Sequence, residues 1–167
     1  MTVRPLRYLG DPVLRTRCEP VTRFDDSLVR LVEDLLETVR EPGRAGLAAN
    51  QIGSTLAVFS YNIDEDFGYL INPEIVELSS RVEEDLEGCL SVPGVTAVRA
   101  RAARAVAAGV DVRQDPVTVA GVGELARCLQ HETDHLRGEL FIDKLEAEER
   151  RRVMRQVRGQ WPLAVHD

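Results

Sequence analysis

The sequence predicts an α+β fold, with antiparallel β-sheets packed around a central helix and with further helices near the N- and C-terminal ends. Three observations support this prediction. Residues 25–39 place apolar side chains with the 3.6-residue period of an amphipathic helix. Residues 55–119 contain short β-rich runs separated by turn residues. Residues 123–137 carry the pattern H-E-x-x-H in a segment suited to a helix, which we place at the centre.

The composition of the chain predicts one globular domain over residues 1–167, because 44% hydrophobic and 29% charged residues are ordinary for such a domain. No apolar run approaches the ~20 residues of a membrane span, and the first residues lack the features of a signal peptide. We therefore expect a cytoplasmic protein with no membrane partner. A net charge of −7 argues against DNA binding. The three cysteines are odd in number, which indicates free thiols or metal ligands.

The first part of the chain contains one strong helix signal. Asp11 and Pro12 predict a short helix start or turn. The amphipathic segment at 25–39 has two aspartates at its start, and the Glu-Pro-Gly sequence at 41–43 ends it. The next residues, 44–53, are mostly small. Their sequence favours a tight turn into a strand, although small side chains would also let the backbone lie close to a ligand.

The middle of the chain favours strands. We predict strands at 56–61 and 69–72, and an exposed acidic turn at 83–85. Residues 87–94 are expected to form a loop that holds Cys89 between glycine and proline residues. Two antiparallel strands are expected within 95–112, and a further strand is expected after Pro116.

Two helices complete the prediction. The H-E-x-x-H helix should span about 123–137 and end at Gly138. The last helix, at about 146–158, begins with glutamates and continues with arginines, a polarity that suits the helix dipole. This pattern favours a solvated helix, with docking on an anionic surface as the alternative.

The H-E-x-x-H pattern predicts a metal site. Residues four apart lie on one face of a helix, so His131 and His135 can direct two imidazoles at one ion. Glu132 lies next to them and can exchange a proton with a water at the ion. Catalytic zinc-type sites generally use three protein ligands, so another ligand must come from elsewhere in the chain.

Several residues are candidates for the third ligand. A metzincin would have a histidine at position 141, where this chain has Phe141. A thermolysin-like site would use a glutamate, and the downstream candidates are Glu139, Glu146, Glu148 and Glu149. His166 is next to last in the chain. Cys89 is favoured because a thiolate suits a borderline metal and its loop is constrained, although a buried structural cysteine is the alternative.

Three motifs together resemble the peptide deformylase family. They are Gly46-Leu47-Ala48-Ala49-Asn50-Gln51, Glu87-Gly88-Cys89-Leu90-Ser91 and His131-Glu132-Thr133-Asp134-His135, in the family's order. The resemblance extends over nearly the whole chain. One position departs from the family pattern: Arg44 stands where a glycine usually opens the first motif. We expect this change to affect the edge of the substrate cleft rather than the chemistry.

The resemblance implies a metallohydrolase that releases formate from N-formylmethionyl peptides. It assigns the metal to Cys89, His131 and His135, and the general acid/base role to Glu132. It assigns the oxyanion donors to the Gln51 amide and the Leu90 N–H. The remaining implied roles are substrate binding by Ala45, Gly46, Gly88 and Cys128, and support of the Cys89 loop by a Glu87–Arg101 ion pair.

The resemblance also implies Fe²⁺ as the metal, with Zn²⁺, Ni²⁺ or Co²⁺ as alternatives in preparations. Its partners would be the formylated peptide and, through the Arg-rich last helix, the ribosome. Three alternatives stay open at this point. They are another H-E-x-x-H metallopeptidase, a non-catalytic relative that binds metal or the ribosome, and a secondary enzyme copy with a different N-formyl substrate.

Overall fold

The computed structural model describes residues 2–160, which contain three α-helices: α1 (Asp26–Val39), α2 (Gly123–Leu136) and α3 (Ala147–Gly159). The Asp25 side chain caps α1 by accepting hydrogen bonds from the backbone N–H groups of Ser27 and Leu28. α2 is followed by Gly138, whose φ of 75° favours glycine. No helix within the described part of the chain is long and apolar enough to cross a membrane.

The strands form two antiparallel sheets. The larger sheet has the order β1-β2-β3-β6-β7. Its strands are β1 (Gly46–Ala48), β2 (Val58–Ile63), β3 (Asp66–Leu78), β6 (Arg104–Val110) and β7 (Pro116–Val122). The smaller sheet is a hairpin of β4 (Val82–Cys89) and β5 (Val92–Ala102). The fold is therefore α+β, as the sequence predicts, and its sheets are antiparallel throughout.

The larger sheet lies between two helices. One core cluster joins α1 to the sheet through Leu28, Leu35, Val58 and Ile71. A second joins the opposite face to α2 through Phe59, Leu70, Leu129 and other apolar residues. Alternate residues of β2 therefore point to different helices, as the pleat of a strand requires. α2 is buried along most of its length and occupies the centre of the fold.

A third core cluster attaches α3 to the hairpin. Val153 and Val157, one turn apart on α3, pack against apolar residues of β5 and of the 3₁₀ helix Phe141–Lys144. The rest of α3 is largely exposed. The last helix is thus amphipathic and anchored by a narrow apolar stripe.

Three details of the predicted middle region are wrong. Residues 83–85 form part of β4 and not an acidic turn, because their backbones pair with residues 99–101 of β5. The two strands expected within 95–112 do not pair with each other. β5 pairs with β4, whereas β6 pairs with β3 and β7, so the chain changes sheets near Ala103. Finally, residues 87–94 do not form a loop throughout, because β4 continues to Cys89 and β5 begins at Val92.

Candidate active site

Three side chains converge where α2 meets the end of β4. The Nε2 atoms of His131 and His135 are 3.1 Å apart, and Cys89 Sγ is 3.2 Å from Nε2 of His135. The three ligand atoms lie within 4.8 Å of one another, as one metal ion would require. One sulfur and two imidazole nitrogens form a donor set that zinc and iron both accept. The residues therefore fit a divalent metal ion.

Glu87 fixes the orientation of one of these histidines. Its Oε2 atom lies 2.9 Å from Nδ1 of His131, which leaves the Nε2 atom of that ring facing Cys89 and His135. Arg101 donates to both carboxylate oxygens of Glu87, at 3.0 and 2.7 Å. Burial alone would raise the pKa of Glu87, but hydrogen bonds from His131 and Arg101 hold it well below its usual range.

The ion pair at Glu87 belongs to a larger buried group. Asp134 accepts from Arg101 at 2.6 Å and from Arg99 at 3.4 Å. Arg127 donates to Oε1 of Glu87 at 3.1 Å and to the carbonyls of Arg99 and Glu83. These contacts join the hairpin to α2 directly behind the candidate ligands. The positions of Cys89 and His131 are therefore fixed by the same set of charges.

Gln51 has a defined orientation beside Cys89. It lies in the 3₁₀ helix Ala49–Ile52, and its Oε1 accepts from the backbone N–H of Ala48 at 2.9 Å. Its Nε2 donates to Ser91 Oγ at 3.1 Å and lies 3.7 Å from Cys89 Sγ. The neighbouring Asn50 donates to the carbonyl of His135 at 2.7 Å. This segment thus brings a side-chain amide to the candidate metal site and contacts α2 as well.

Glu132 is buried, with 3% exposure, and its Oε2 atom has no hydrogen-bond partner among the described residues. Burial raises its pKa to about 7. A cation at Cys89, His131 and His135 would lower the pKa again by favouring the carboxylate. A buried carboxylate without a hydrogen-bond partner destabilises the folded protein unless a bound molecule supplies that partner. Glu132 is therefore suited to exchange a proton with a bound molecule.

These groups lie along a cleft of about 920 Å³. β1 and residues 42–45 form one wall, and β4 forms the other. Of the site residues that the sequence predicts, all except His135 line the cleft. They are Ala45, Gly46, Gln51, Glu87, Gly88, Cys89, Leu90, Arg101, Cys128, His131 and Glu132. Cys128 contacts the wall through its Sγ, which donates to the carbonyl of Ala45 at 3.5 Å.

The other ligand candidates lie elsewhere. None of the four downstream glutamates, Glu139, Glu146, Glu148 and Glu149, joins the cluster of Cys89, His131 and His135. Glu149 instead binds Arg152 and the backbone N–H of Val98. His166 lies outside the described residues. Phe141 occupies the metzincin ligand position and packs in the core, where its ring stacks near His131 at a centroid distance of 6.2 Å.

The prediction from sequence missed Asn50, Ser91, Arg99, Arg127 and Asp134. Two of them carried a usable signal. Asp134 lies inside the H-E-x-x-H motif, and Arg127 lies one helical turn before His131, so both share α2 with the ligands. Asn50 and Ser91 belong to the first and second motifs, but their partners are far away in sequence. The sequence around Arg99 gave no such signal, because arginines that alternate with alanines are also found on strands where the arginine side chains are exposed to solvent.

Comparison with known proteins was consistent with this geometry. The family model described as polypeptide deformylase matches residues 3–151. A peptide deformylase of Acidothermus cellulolyticus is 51% identical over 162 residues, covering 96% of this chain and 89% of the relative. One from Parafrankia sp. is 50% identical over 163 residues, with the same coverage.

Solved structures agree with the sequence matches. A peptide deformylase from Legionella pneumophila superposes with a TM-score of 0.89 and 36% identity, covering 99% of both chains. One from Synechococcus elongatus, solved in complex with actinonin, has a TM-score of 0.86 and 35% identity, covering 97% of this chain and 87% of that one. From the family match, the relatives and the shared fold, we conclude that this chain belongs to the polypeptide deformylase family of hydrolases.

Proposed function

We propose that this protein removes the N-terminal formyl group from N-formylmethionyl peptides and releases formate. The observation that carries this proposal is the convergence of Cys89, His131 and His135 beside the unpartnered carboxylate of Glu132. These groups lie at the floor of a cleft with room for an extended peptide. Membership of the polypeptide deformylase family supports the same reaction.

The candidate ligands would hold a divalent ion, for which we propose Fe²⁺. When bound, such an ion polarises a carbonyl and lowers the pKa of a water molecule from its value in bulk water towards about 7. The protein's own groups then perform the proton transfers. Glu132 takes a proton from the attacking water as the water adds to the formyl carbon. It passes that proton to the amine nitrogen as the C–N bond breaks, so formate and a free amine leave.

The oxygen of the formyl group needs hydrogen-bond donors as charge develops on it. We assign this role to Nε2 of Gln51 and the backbone N–H of Leu90. Gln51 is suited to it because Ser91 and Ala48 already hold its amide group in one orientation, so little reorganisation is needed during the reaction. Loss of one such donor typically costs about 10²- to 10³-fold in kcat.

The peptide would lie between the two walls of the cleft. Gly46 and Ala45 on one side, and Gly88 on the other, present backbone to the substrate because their side chains are small or absent. An extended peptide can therefore pair with the main chain as an added strand. Cys128 would contact the methionine side chain.

Formate release from formyl-Met-Ala-Ser tests the proposal, with protein prepared anaerobically and its metal measured. Glu132→Gln should keep the metal but lose about 10²- to 10⁴-fold in turnover, since it lacks the proton acceptor. Cys89→Ala should lose the metal. Glu148→Gln, an exposed change on α3, serves as the control. Near-wild-type turnover by Glu132→Gln would contradict the mechanism, and unchanged metal content in Cys89→Ala would contradict the ligand set.

We further propose that α3 docks on ribosomal RNA. Arg151, Arg155 and Arg158 lie on its exposed side, at spacings that place them on one face, and none makes a salt bridge with residues 2–160. Arg152, by contrast, is paired with Glu149. Unpaired arginines are suited to phosphate contacts. This role places the protein in the cytoplasm, where formylated chains are made.

Co-sedimentation with ribosomes tests the docking. Changing Arg151, Arg155 and Arg158 to Gln should weaken binding and reduce its salt dependence, because each phosphate contact contributes to the salt slope. The matched control changes Arg23, Arg30 and Arg40, near or on α1, which removes the same charge at a distant surface. Equal binding by both triple variants would refute docking through α3.

A further inference from the structure

The larger sheet has a free edge outside the cleft. The sheet ends in β1 on one side and in β7 on the other. β1 forms a wall of the cleft, whereas no residue of β7 lines it. Among residues 2–160, β7 pairs only with β6, and no backbone group of a turn or loop hydrogen-bonds to its other edge. The outer edge of β7 is therefore open to another strand.

Alternate residues of β7 direct their backbone groups towards this edge. In the turn before β7, the N–H of Asp111 donates to the C=O of Asp115 at 3.0 Å, and the register of β6 with β7 continues from this pair without a bulge. Bonded and non-bonded pairs alternate along an antiparallel ladder. Counting from Asp115, the odd-numbered residues of 117–121 bond to β6, and the even-numbered residues of 116–122 direct their backbone groups outwards.

A hydrogen bond on the far side of β6 supports the same alternation. The N–H of Ser79, next to the end of β3, donates to the C=O of Arg104 at 3.0 Å. The backbone of Arg104 therefore faces β3, and the backbone of the next residue, Ala105, faces β7. The partner of Ala105 is Gly121, which is one of the odd-numbered residues of β7. Both sides of β6 thus leave the even-numbered residues of β7 with outward backbone groups.

The free edge carries no charged side chain. β7 reads Pro-Val-Thr-Val-Ala-Gly-Val, in a chain with 29% charged residues. Thr118, Ala120 and Val122 are exposed, and Val122, at 68%, is the most exposed large apolar residue within 2–160. Val117 and Val119 are half-buried against the core on the α2 side. Proteins usually protect a free edge with lysines, other charges or a short strand, so an uncharged edge of seven residues favours pairing.

This edge is complementary to itself in an antiparallel pair. With Val119 on the two-fold axis, Thr118 of each copy lies opposite Ala120 of the other, and each such pair can exchange both backbone hydrogen bonds. Pro116 then lies opposite Val122 of the other copy, whose N–H can donate to the C=O of Pro116. The reverse bond is not needed, because Pro116 has no N–H and the C=O of Val122 is the N-cap acceptor of α2.

We propose that this protein forms a two-fold dimer in which the β7 strands of two copies pair and join the two larger sheets into one. The inference goes beyond the proposed reaction and uses no residue of the candidate active site. Because each copy uses the same edge, the contact closes on itself and assembly stops at two copies. A single strand from each copy gives a small interface, so we expect a Kd of roughly 10 to 100 μM.

Hydrogen exchange of individual amides tests this pairing. Exchange is compared at about 5 μM and about 500 μM protein, below and above the expected Kd, in about 0.5 M salt. The salt screens the exposed acids Asp115 and Glu124, which adjoin the two ends of β7. The even-numbered amides of 118–122 should exchange about threefold to sevenfold more slowly in the concentrated sample, as mass action predicts for this Kd. The odd-numbered amides of 117–121 should be protected at both concentrations, because β6 already binds them.

Sedimentation equilibrium of three variants tests where the copies meet. Ala120→Pro removes an N–H that the single copy does not use and should stay monomeric at about 500 μM. Ala120→Lys should also stay monomeric, because it brings like charges together near the axis, and it decides the question if the proline variant fails to fold. The matched control, Val76→Lys, adds the same charge at an exposed position of β3 and should dimerise like the wild type.

Three results would overturn the proposal. Wild-type protein that stays monomeric at about 500 μM would leave the edge to a strand of a different protein. Equal dimerisation of Ala120→Lys and Val76→Lys would place the contact elsewhere on the surface. Even-numbered amides of 118–122 that exchange at the same rate in dilute and concentrated samples would show that β7 does not pair. None of these measurements uses formate release, so each outcome is independent of the proposed reaction.

Discussion

Gly46 shows how closely the backbone approaches the candidate catalytic carboxylate. A Cβ atom at this position would lie 2.5 Å from Oε1 of Glu132 and 2.7 Å from Sγ of Cys128. Both distances are below van der Waals contact, so any side chain would displace one or both groups. Glycine therefore serves here to let β1 lie directly against α2.

We predict that Gly46→Ala lowers kcat by about 10²-fold, because a displacement of roughly 1 Å of a reacting group has an effect of that size. Formate release at saturating peptide measures it. Gly159→Ala is the control, since a Cβ at the end of α3 would meet nothing within 4 Å. Full activity in Gly46→Ala would show that Glu132 can move aside without loss.

The sequence predicts individual site residues unevenly, for a physical reason. The helical repeat alone predicts that His131 and His135 share a face, and the structure places their Nε2 atoms together. Contacts between distant segments leave no such periodic trace. Gln51 and Ser91 are 40 residues apart, and Asn50 and His135 are 85 apart. Those pairs become evident only after the chain has folded.

At the scale of elements, the β4–β5 hairpin depends on buried charge. Glu87 and Arg101 come from the hairpin, Asp134 comes from α2, and all three are largely buried. A buried ion pair often adds little net stability, but removing one partner leaves the other charge desolvated and unpaired. The hairpin is therefore sensitive to changes in any member of this group.

We predict that Arg101→Leu destabilises the protein by about 3 kcal/mol, because Glu87 and Asp134 lose their shared partner. Urea unfolding measures the change. The control is Arg81→Leu near the start of the same hairpin, where the exposed pair with Glu83 is worth at most about 1 kcal/mol. Similar losses in the two variants would argue against a special role for the buried group.

The hairpin also shows why its boundaries are difficult to predict. Residues 83–85 are acidic, and acidic runs usually form turns, yet here they form a strand. The reason is that this two-stranded sheet leaves much of β4 exposed, so charged side chains there remain in water. Its hydrogen bonds come from β5, which is not evident in the sequence of β4 itself.

Glu149 attaches α3 to the hairpin. Its carboxylate binds Arg152 and accepts from the backbone N–H of Val98 at 3.1 Å. The Arg152 side chain and the Val98 N–H together lower the pKa of Glu149 to about 2. A lowered pKa stabilises the folded state fully above the unfolded value of about 4.3 and loses that contribution as the pH falls towards 2.

We predict that Glu149→Gln speeds hydrogen exchange of the Val98 amide at neutral pH, whereas Glu148→Gln does not. In the wild type, the carboxyl carbon of Glu149 should titrate in NMR spectra with a midpoint near 2. A midpoint at the ordinary value of about 4.3 would mean that this contact is not maintained in solution.

At the scale of the whole molecule, the candidate metal site joins the two parts of the fold. His131 and His135 belong to α2, which packs on the larger sheet, and Cys89 belongs to the hairpin. An ion bound only by the folded protein stabilises it by about 4 kcal/mol when its concentration is 1,000 times Kd. Metal removal should therefore affect stability as well as activity.

We predict that chelation lowers Tm by roughly 10 °C, given about 2–4 °C for each kcal/mol in a protein of this size. Scanning calorimetry with and without chelator measures the shift, which should reverse when Zn²⁺ or Fe²⁺ is restored. Cys89→Ala should show no response to chelator. A chelator-sensitive Tm in Cys89→Ala would indicate a different ligand set.

The separation of the candidate ligands along the chain also has a consequence for the unfolded state. An ion that binds Cys89 and His131 closes a loop of about 40 residues, as a disulfide would. In the chain-entropy account, closing such a loop in the unfolded chain would cost about 4 kcal/mol, so the ion favours the folded chain, in which the ligands already lie together. Unlike a disulfide, this cross-link forms from a reduced thiol and opens when the ion leaves, so the supply of metal controls how long the chain stays folded.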